Sequence, residues 1–294
     1  MHAYTIATVP HGGYITAVFM RVAKTHFATT LAGQKQPHTS ALHLEFLKRT
    51  HVGPATFLVK DVKLGRQTST IHITLVQDDR QEVIGYITNH NFAAEEGVSF
   101  PTGWELHPSR PAVDLRKLKS GRDEFWEEQY SPFPDLRKAS TRIRFFIPRA
   151  GQALKSINDE WVCMADGSRF TQESIGYVAD MWPQVIENYY QPGGALVKQR
   201  PNVGEKSNKT EARFWYATVL LNLDVKKALP EEGVEWLFAR VQAKQIKNGR
   251  MDLEVIVMDD MGEIVALSHH VVMVLPVARN LAARREVGNG GAKI

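Results

Sequence analysis

Residues 174–190 read SIGYVADMWPQVIENYY, and the reading of this stretch decides the fold. Ile175, Val178, Ala179, Trp182, Val185, Ile186 and Tyr189 recur at steps of three and four. That spacing predicts a helix with one apolar stripe over 174–190. Gly176 inside it lowers helix propensity but lets another backbone come close. Pro183 lacks an N–H and clashes with the carbonyl four residues back, so a kink is expected near 179–182. Asp180 falls at that kink and off the stripe. Taken alone, it reads as a solvated surface carboxylate.

Working outward, the chain repeats itself. GGYITA at 12–17 matches IGYVAD at 175–180, and LEFLKR at 44–49 resembles LDVKK at 223–227. VKLGR ending at Arg66 resembles IKNGR ending at Arg250. DDRQEVIGYITN at 78–89 resembles DDMGEIVALSHH at 259–270. The order is shared, and the spacing differences fall in loops. A strand at 4–9 and a helix at 14–29 are expected before strands at 40–46, 55–64, 68–77 and 82–92. The second copy has strands at 141–147 and 160–164, the organising helix, a polar loop at 191–210, and strands at 214–224, 235–246, 251–258 and 263–275. The expected organisation is a repeat over 1–92, a connection over 93–139 packed on the surface, a repeat over 140–277, and a flexible basic tail over 278–294.

In this alignment Asp180 matches Ala17, His270 matches Asn89, and Thr218 matches Thr39. The first helix holds no acidic residue. A scaffold that keeps a carboxylate in one copy suggests a single working site.

The bulk numbers are those of a globular protein: 294 residues, 43% hydrophobic and 23% charged, with formal charge +4. The mild basicity suits an anionic small ligand or an acidic carrier protein and argues against nucleic acid. Cys163 is the single cysteine. It excludes an intramolecular disulfide and a cysteine metal cluster, and it reads as a core residue. No membrane span and no signal peptide are read, so the default location is the cytoplasm. His269 and His270 are adjacent in a strand, point to opposite faces and cannot ligate one ion. No metal or cofactor is expected. A serine nucleophile elbow and a phosphate-binding Gly-Lys motif are both missing.

A long helix wrapped by an antiparallel sheet, twice in one chain, resembles the α+β double hotdog fold. The resemblance is to acyl-CoA thioesterases of the thioesterase II type and the thioesterase-like proteins of fungi and actinobacteria. It is carried by HGGY at His11, ALHLEFLKR at Ala41, GRQTSTIHITLVQDD at Gly65, GYVADM at Gly176, YATVLLNLDVKK at Tyr216 and NGRMDLEVIVMDDMGEIVALSHH at Asn248. It implies a site of Asp180, Thr218 and His270, with His270 standing where the family usually has Gln. His11 stands where relatives often carry Asn. Asp180 would activate water, with Thr218 and His270 holding it. His11, Gly12, Gly13 and Tyr14 would contact the thioester at a helix start, where free N–H groups and the helix dipole favour an oxyanion. The ordinary alternatives are a plain strand threonine, a half-buried packing histidine and a tight turn.

The implied activity is acyl-thioester hydrolysis, with an acyl-CoA as first choice of substrate. Release of a fatty-acid or polyketide product from an acyl carrier protein is the second choice, and non-catalytic acyl binding the third. Monomer and homodimer both stay open.

Overall fold

The structure is a computed structural model that describes residues 2–191, 194–201 and 213–276. The expected tail over 278–294 and most of the polar loop expected over 191–210 lie outside the described residues.

In chain order the elements are β1 (Thr5–Ile6), β2 (Val9–Pro10), α1 (Gly12–Ala28), β3 (His38–Phe46), β4 (Thr56–Lys63), β5 (Ser69–Gln77) and β6 (Arg80–His90). Then come α2 (Leu115–Lys119), β7 (Trp126–Gln129), β8 (Ile143–Pro148), β9 (Ile157–Met164) and α3 (Ile175–Ala179). The last are β10 (Phe214–Val225), β11 (Leu237–Gln242), β12 (Ile246–Lys247), β13 (Arg250–Met258) and β14 (Ile264–Pro276). One antiparallel sheet runs β4-β5-β6-β3-β10-β14-β13-β11-β9-β8-β7, with β12 paired to β13. No helix of the described residues is long and apolar enough to cross a membrane.

The two copies meet at β3 and β10. Leu44 pairs with Leu221, His43 with Asn222 and Leu42 with Leu223, so the pairing is nearly its own mirror about His43 and Asn222. The copies also share a β-bulge. The register shifts between Thr39 and Ala41 in one and between Thr218 and Leu220 in the other. A bulge inserts one extra residue and re-aims its neighbours. Inner-face residues Leu42, Leu44, Ile71, Ile73, Leu221, Leu223, Leu253 and Val255 are buried against α1 and α3 in one core.

The two helices touch through glycines. A Cβ at Gly13 would lie 2.7 Å from the Tyr177 carbonyl oxygen and 3.0 Å from Asp180 Cβ. A Cβ at Gly176 would lie 2.8 Å from Thr16 Cγ2 and 3.0 Å from Met20 Sδ. Only hydrogen fits at either point, so the helices cross backbone to backbone.

Several expectations need correction. The helix expected over 174–190 breaks rather than kinks. α3 ends at Ala179, Asp180 is its C-cap, and a 3₁₀ turn follows at Val185–Tyr189. Pro183 cannot donate, and it disfavours helical geometry at Trp182. The Pro183 carbonyl instead accepts from Asn158 Nδ2 at 2.6 Å. The apolar stripe stays buried through the break except at Tyr189, which is 49% exposed. The single strand expected at 4–9 is a small hairpin turning at Ala7, where φ is 53°. The strand expected at 235–246 divides into β11 and β12, because the Asp252 carboxylate accepts from the Lys244 and Gln245 amides between them.

The segment 93–139, expected as a surface connection, supplies edge strand β7. Trp126 is fully buried against Phe238. The Arg110 guanidinium lies 5.0 Å from the Trp161 ring centre and 5.1 Å from that of Phe238. Below it, Arg240 clasps Asp159 with two 2.6 Å bonds, a buried bidentate pair. This layer covers the outer sheet face of the second copy.

The glycine crossing predicts a contrast. Gly13→Ala forces a methyl against a backbone carbonyl and should cost about 1–3 kcal/mol, typical of overpacking. Gly33→Ala, with nothing within 4 Å of its Cβ, should change stability by less than about 1 kcal/mol. Urea midpoints of the two variants check this, and equal midpoints would sink the close-crossing account.

Candidate active site

The broken helix turns Asp180 inward. The off-stripe position that suggested a solvated residue is 6% exposed, because α3 stops there and the chain leaves over the sheet. Each carboxylate oxygen has its own surroundings. Oδ1 accepts a hydrogen bond from Thr218 Oγ1 at 3.1 Å and lies 3.4 Å from His270 Nδ1. Oδ2 lies 3.8 Å from His11 Nε2, and a Cβ at Gly12 would come within 2.6 Å of it. Thr218 reaches the carboxylate from the bulge of β10. His270 reaches it from β14, and His11 from the N-cap of α1.

Burial alone would push the Asp180 carboxyl up. The His270 imidazole, His11 and the Thr218 hydroxyl outweigh burial and hold it below the usual carboxylate value. Asp180 is therefore ionised at neutral pH. His11 is lowered from its ordinary value, first by burial; Asp180 opposes that shift and His270 adds to it. His11 Nδ1 accepts from the Gly13 amide at 3.1 Å, so its proton sits on Nε2, toward Asp180.

Beside the carboxylate is a cavity of about 580 Å³. His11, Gly12, Asp180 and Thr218 line it together with apolar Ile15, Phe46, Trp182 and Phe214. Lys48, Arg49 and Arg137 are in its wall, and Asp180 is the only carboxylate among its described lining residues. An ionised carboxylate beside an apolar, cation-rimmed cavity is a place where water can be deprotonated next to an anionic substrate.

The structure thus brings Asp180, Thr218, His270, His11, Gly12 and Gly13 together. Three details differ from expectation. Tyr14 stacks on Tyr4 with ring centres 4.8 Å apart, and it is not part of the cavity wall. The Gly13 amide is spent on His11, so it is not free for a thioester oxygen. His270 is fully buried behind Asp180 and outside the wall, so it does not face water directly.

The alignment of His270 with Asn89 is also corrected by the register. Thr39 pairs with Asn89 and Thr218 with Val272, while Leu42 pairs with Ile87 and Leu221 with His270. Ile87 is the true counterpart of His270. The turn at Asp259–Glu263 is longer than the one at Asp78–Asp79, so matching the Asp-Asp pairs misplaces the next strand by two residues. His269 is exposed while His270 is buried, as strand alternation requires. The Cys163 thiol is pushed up to about 11, first by burial, which leaves no thiolate for nucleophilic work. Sequence reasoning missed Ser268, Trp182 and Arg137. Only Ser268 carried a signal, its two-residue spacing from His270.

Comparison with known proteins places the family and the fold. Residues 2–90 match the family model of the acyl-CoA thioesterase N-terminal domain, and residues 112–274 that of the C-terminal domain. The thioesterase-like protein TwmA of Talaromyces wortmannii is 38% identical, over 94% of this chain and 87% of that protein. A putative thioesterase II from Thermobifida fusca superposes with a TM-score of 0.66 at 18% identity, covering 93% of this chain and 90% of that one. A hot dog fold protein from Alicyclobacillus acidocaldarius does so with a TM-score of 0.66 at 14% identity, covering 93% and 90%. The fold is the double hotdog, and the chain belongs to the acyl-CoA thioesterase family.

Two expectations follow from the electrostatics. Asp180 raises His11 toward its normal value, so Asp180→Asn should shift the His11 titration further down, as read by NMR. An unmoved titration would separate the two groups. The Asp180 value is depressed in the folded state, so its stabilising contribution is complete above the unfolded value and is lost as pH falls through the folded one. The stability difference between wild type and Asp180→Asn should therefore be smaller near about pH 3 than at neutrality. Urea titrations at the two pH values check the sign.

Proposed function

We propose that the cavity beside Asp180 hydrolyses acyl thioesters, coenzyme A esters being the first substrate class, and that Asp180 takes the proton of the attacking water. The observation that carries the reading is the ionised, buried carboxylate in the wall of an otherwise apolar and cationic cavity. Family membership supports the reaction class.

The step balances simply. The water oxygen attacks the thioester carbonyl carbon, and the water proton passes to Asp180. The oxyanion that forms meets the Gly12 N–H at the positive end of α1, a 17-residue helix. Collapse breaks the carbon–sulfur bond. Asp180 returns the proton to the thiolate, giving a free acid and a thiol. Thr218 donates to Oδ1, which orients the carboxylate and leaves Oδ2 toward His11 and the cavity. Ile15, Phe46, Trp182 and Phe214 offer the acyl chain an apolar surface. Lys48, Arg49 and Arg137 suit the phosphate that coenzyme A shares with the phosphopantetheine arm of a carrier protein. That charge favours release from a carrier as the second reading.

The test is a panel of acyl-CoA esters and acyl-carrier substrates given to wild type and Asp180→Asn. Asn is nearly isosteric and cannot accept the proton. It should lower kcat by at least ~10²-fold while acyl-CoA binding is kept. Near-normal kcat in the variant would end the Asp180 mechanism. Turnover of carrier substrates alone would move the substrate class. Tight binding without turnover of any ester would leave an acyl-binding protein.

A further inference from the structure

Asp180 poses a problem as a base. Its partners hold it low, and a carboxylate that binds protons weakly draws a proton from water poorly. The residues behind it answer the problem.

His270 Nε2 lies 2.9 Å from Ser268 Oγ, and the Ser268 hydroxyl donates its proton to the Asn222 carbonyl. Having spent its one proton, Ser268 Oγ can only accept. Nε2 must therefore carry a hydrogen. In the neutral ring Nδ1 is then bare. Nδ1 makes no hydrogen bond among the described residues, although it is buried and points at Asp180 Oδ1 across 3.4 Å. Two acceptors facing one another with nothing between them form a vacant seat for one proton.

We propose that His270 is the proton store of the site and that Ser268 is the positioning residue that keeps its bare nitrogen turned toward Asp180. The inference rests on the hydrolase reading above. The water gives its proton to Asp180 Oδ2, a half-turn of the carboxyl exchanges its two oxygens, and the proton then passes across the 3.4 Å gap to the imidazole. The pair becomes carboxylate and imidazolium. On collapse the proton travels back through Asp180 to the leaving sulfur. Nothing is oxidised, and no further reactant is needed. The lowering of Asp180 by a hydrogen bond from His270 belongs to the state in which Nδ1 holds that proton, the charged pair. Asp180 is then the conduit from the cavity, and the imidazole holds the proton.

The three residue types invite a different reading, serine–histidine–aspartate nucleophilic catalysis, because Nε2 faces a serine and Nδ1 faces an aspartate. The geometry argues against it. Ser268 is 6% exposed, outside the wall of the cavity that holds Asp180, and its proton is committed to a backbone carbonyl instead of to Nε2. The order is reversed: Asp180 faces the substrate and Ser268 lies at the back.

The test uses the intact protein labelled with ¹⁵N at histidine. In wild type without ligand, the His270 side-chain spectrum should show a protonated Nε2 and a bare Nδ1. Ser268→Ala should give mixed tautomers and lower kcat by at least about tenfold with little change in KM, the pattern of a misplaced proton. Ser268→Thr keeps the hydroxyl and should restore both readouts. A proton inventory of kcat should show two protons in flight in wild type and one in His270→Gln, which keeps a polar group but no base. A wild-type spectrum with the proton on Nδ1 would overturn the inference even if hydrolysis is confirmed. So would unchanged kcat and spectrum in Ser268→Ala, or an acyl group found on Ser268 by mass spectrometry. Failure of wild type to hydrolyse any thioester would instead overturn the hydrolase reading, while the spectrum still reports the tautomer.

Discussion

The structure depends on one close contact, the crossing of α1 and α3 at Gly13 and Gly176. Each glycine sits where a methyl group would strike the other helix. The crossing places the C-terminal end of α3 against the N-terminal end of α1, and so Asp180 against His11 and Gly12. A carboxylate at the positive end of a helix dipole is favourably placed, and the effect grows as water is excluded. α3 ends at Ala179, and beyond it the Pro183 carbonyl is held by Asn158 of β9.

A buried ion is normally a liability. Desolvation costs several kcal/mol unless charge and hydrogen bonds replace water. Asp180 has the Thr218 hydrogen bond on one oxygen and the His11 ring near the other, and with His270 these groups come from different elements of the two copies: α1, β10 and β14. The matching place in the first copy shows what happens without a carboxylate. There Thr39 donates to Asn89 at 3.2 Å, and Asn89 Nδ2 donates to the Gln36 carbonyl. Those neutral groups satisfy one another, Ile87 fills the position of His270, and Ala17 that of Asp180. The duplicated frame holds one polar lock and one charged site at related positions. The carboxylate needs the histidines, and without it their burial side by side would serve no charge.

Much of this was legible in the sequence because the signals were local or repeated. Matched segments revealed the duplication, and the lack of an acid in the first helix singled out Asp180. What stayed hidden was set by tertiary contact. Trp126 and its neighbours carry no strand pattern, since β7 pairs on one side only and its burial comes from the packed connection. The break after Ala179 could be read as a kink, because the stripe continues through it; the Asn158 bond that stabilises the broken form is remote in sequence. The Asn89–His270 match failed because a turn grew in one copy, which no short window reveals. Tyr14 shares the GGY motif with the site, but a helix turns a side chain 100° per residue, and its ring went to Tyr4.

The geometry of Asp180 bears on position 270, where this chain has histidine and the resemblance implies glutamine. An amide there can satisfy the aspartate without changing its charge. An imidazole can too, and in addition it can bind a proton. In a cavity wall, that freedom would expose the ring to solvent and let it titrate apart from the carboxylate. At 0% exposure, with Trp182 edge-on at 6.5 Å and Ser268 behind, the ring meets protons chiefly through Asp180. Placing an imidazole behind the carboxylate leaves the carboxylate oriented for water, while the proton it collects has somewhere to go. A buried pair with one shared proton is thus less costly than two separate buried charges, since the imidazolium forms only beside the carboxylate that neutralises it.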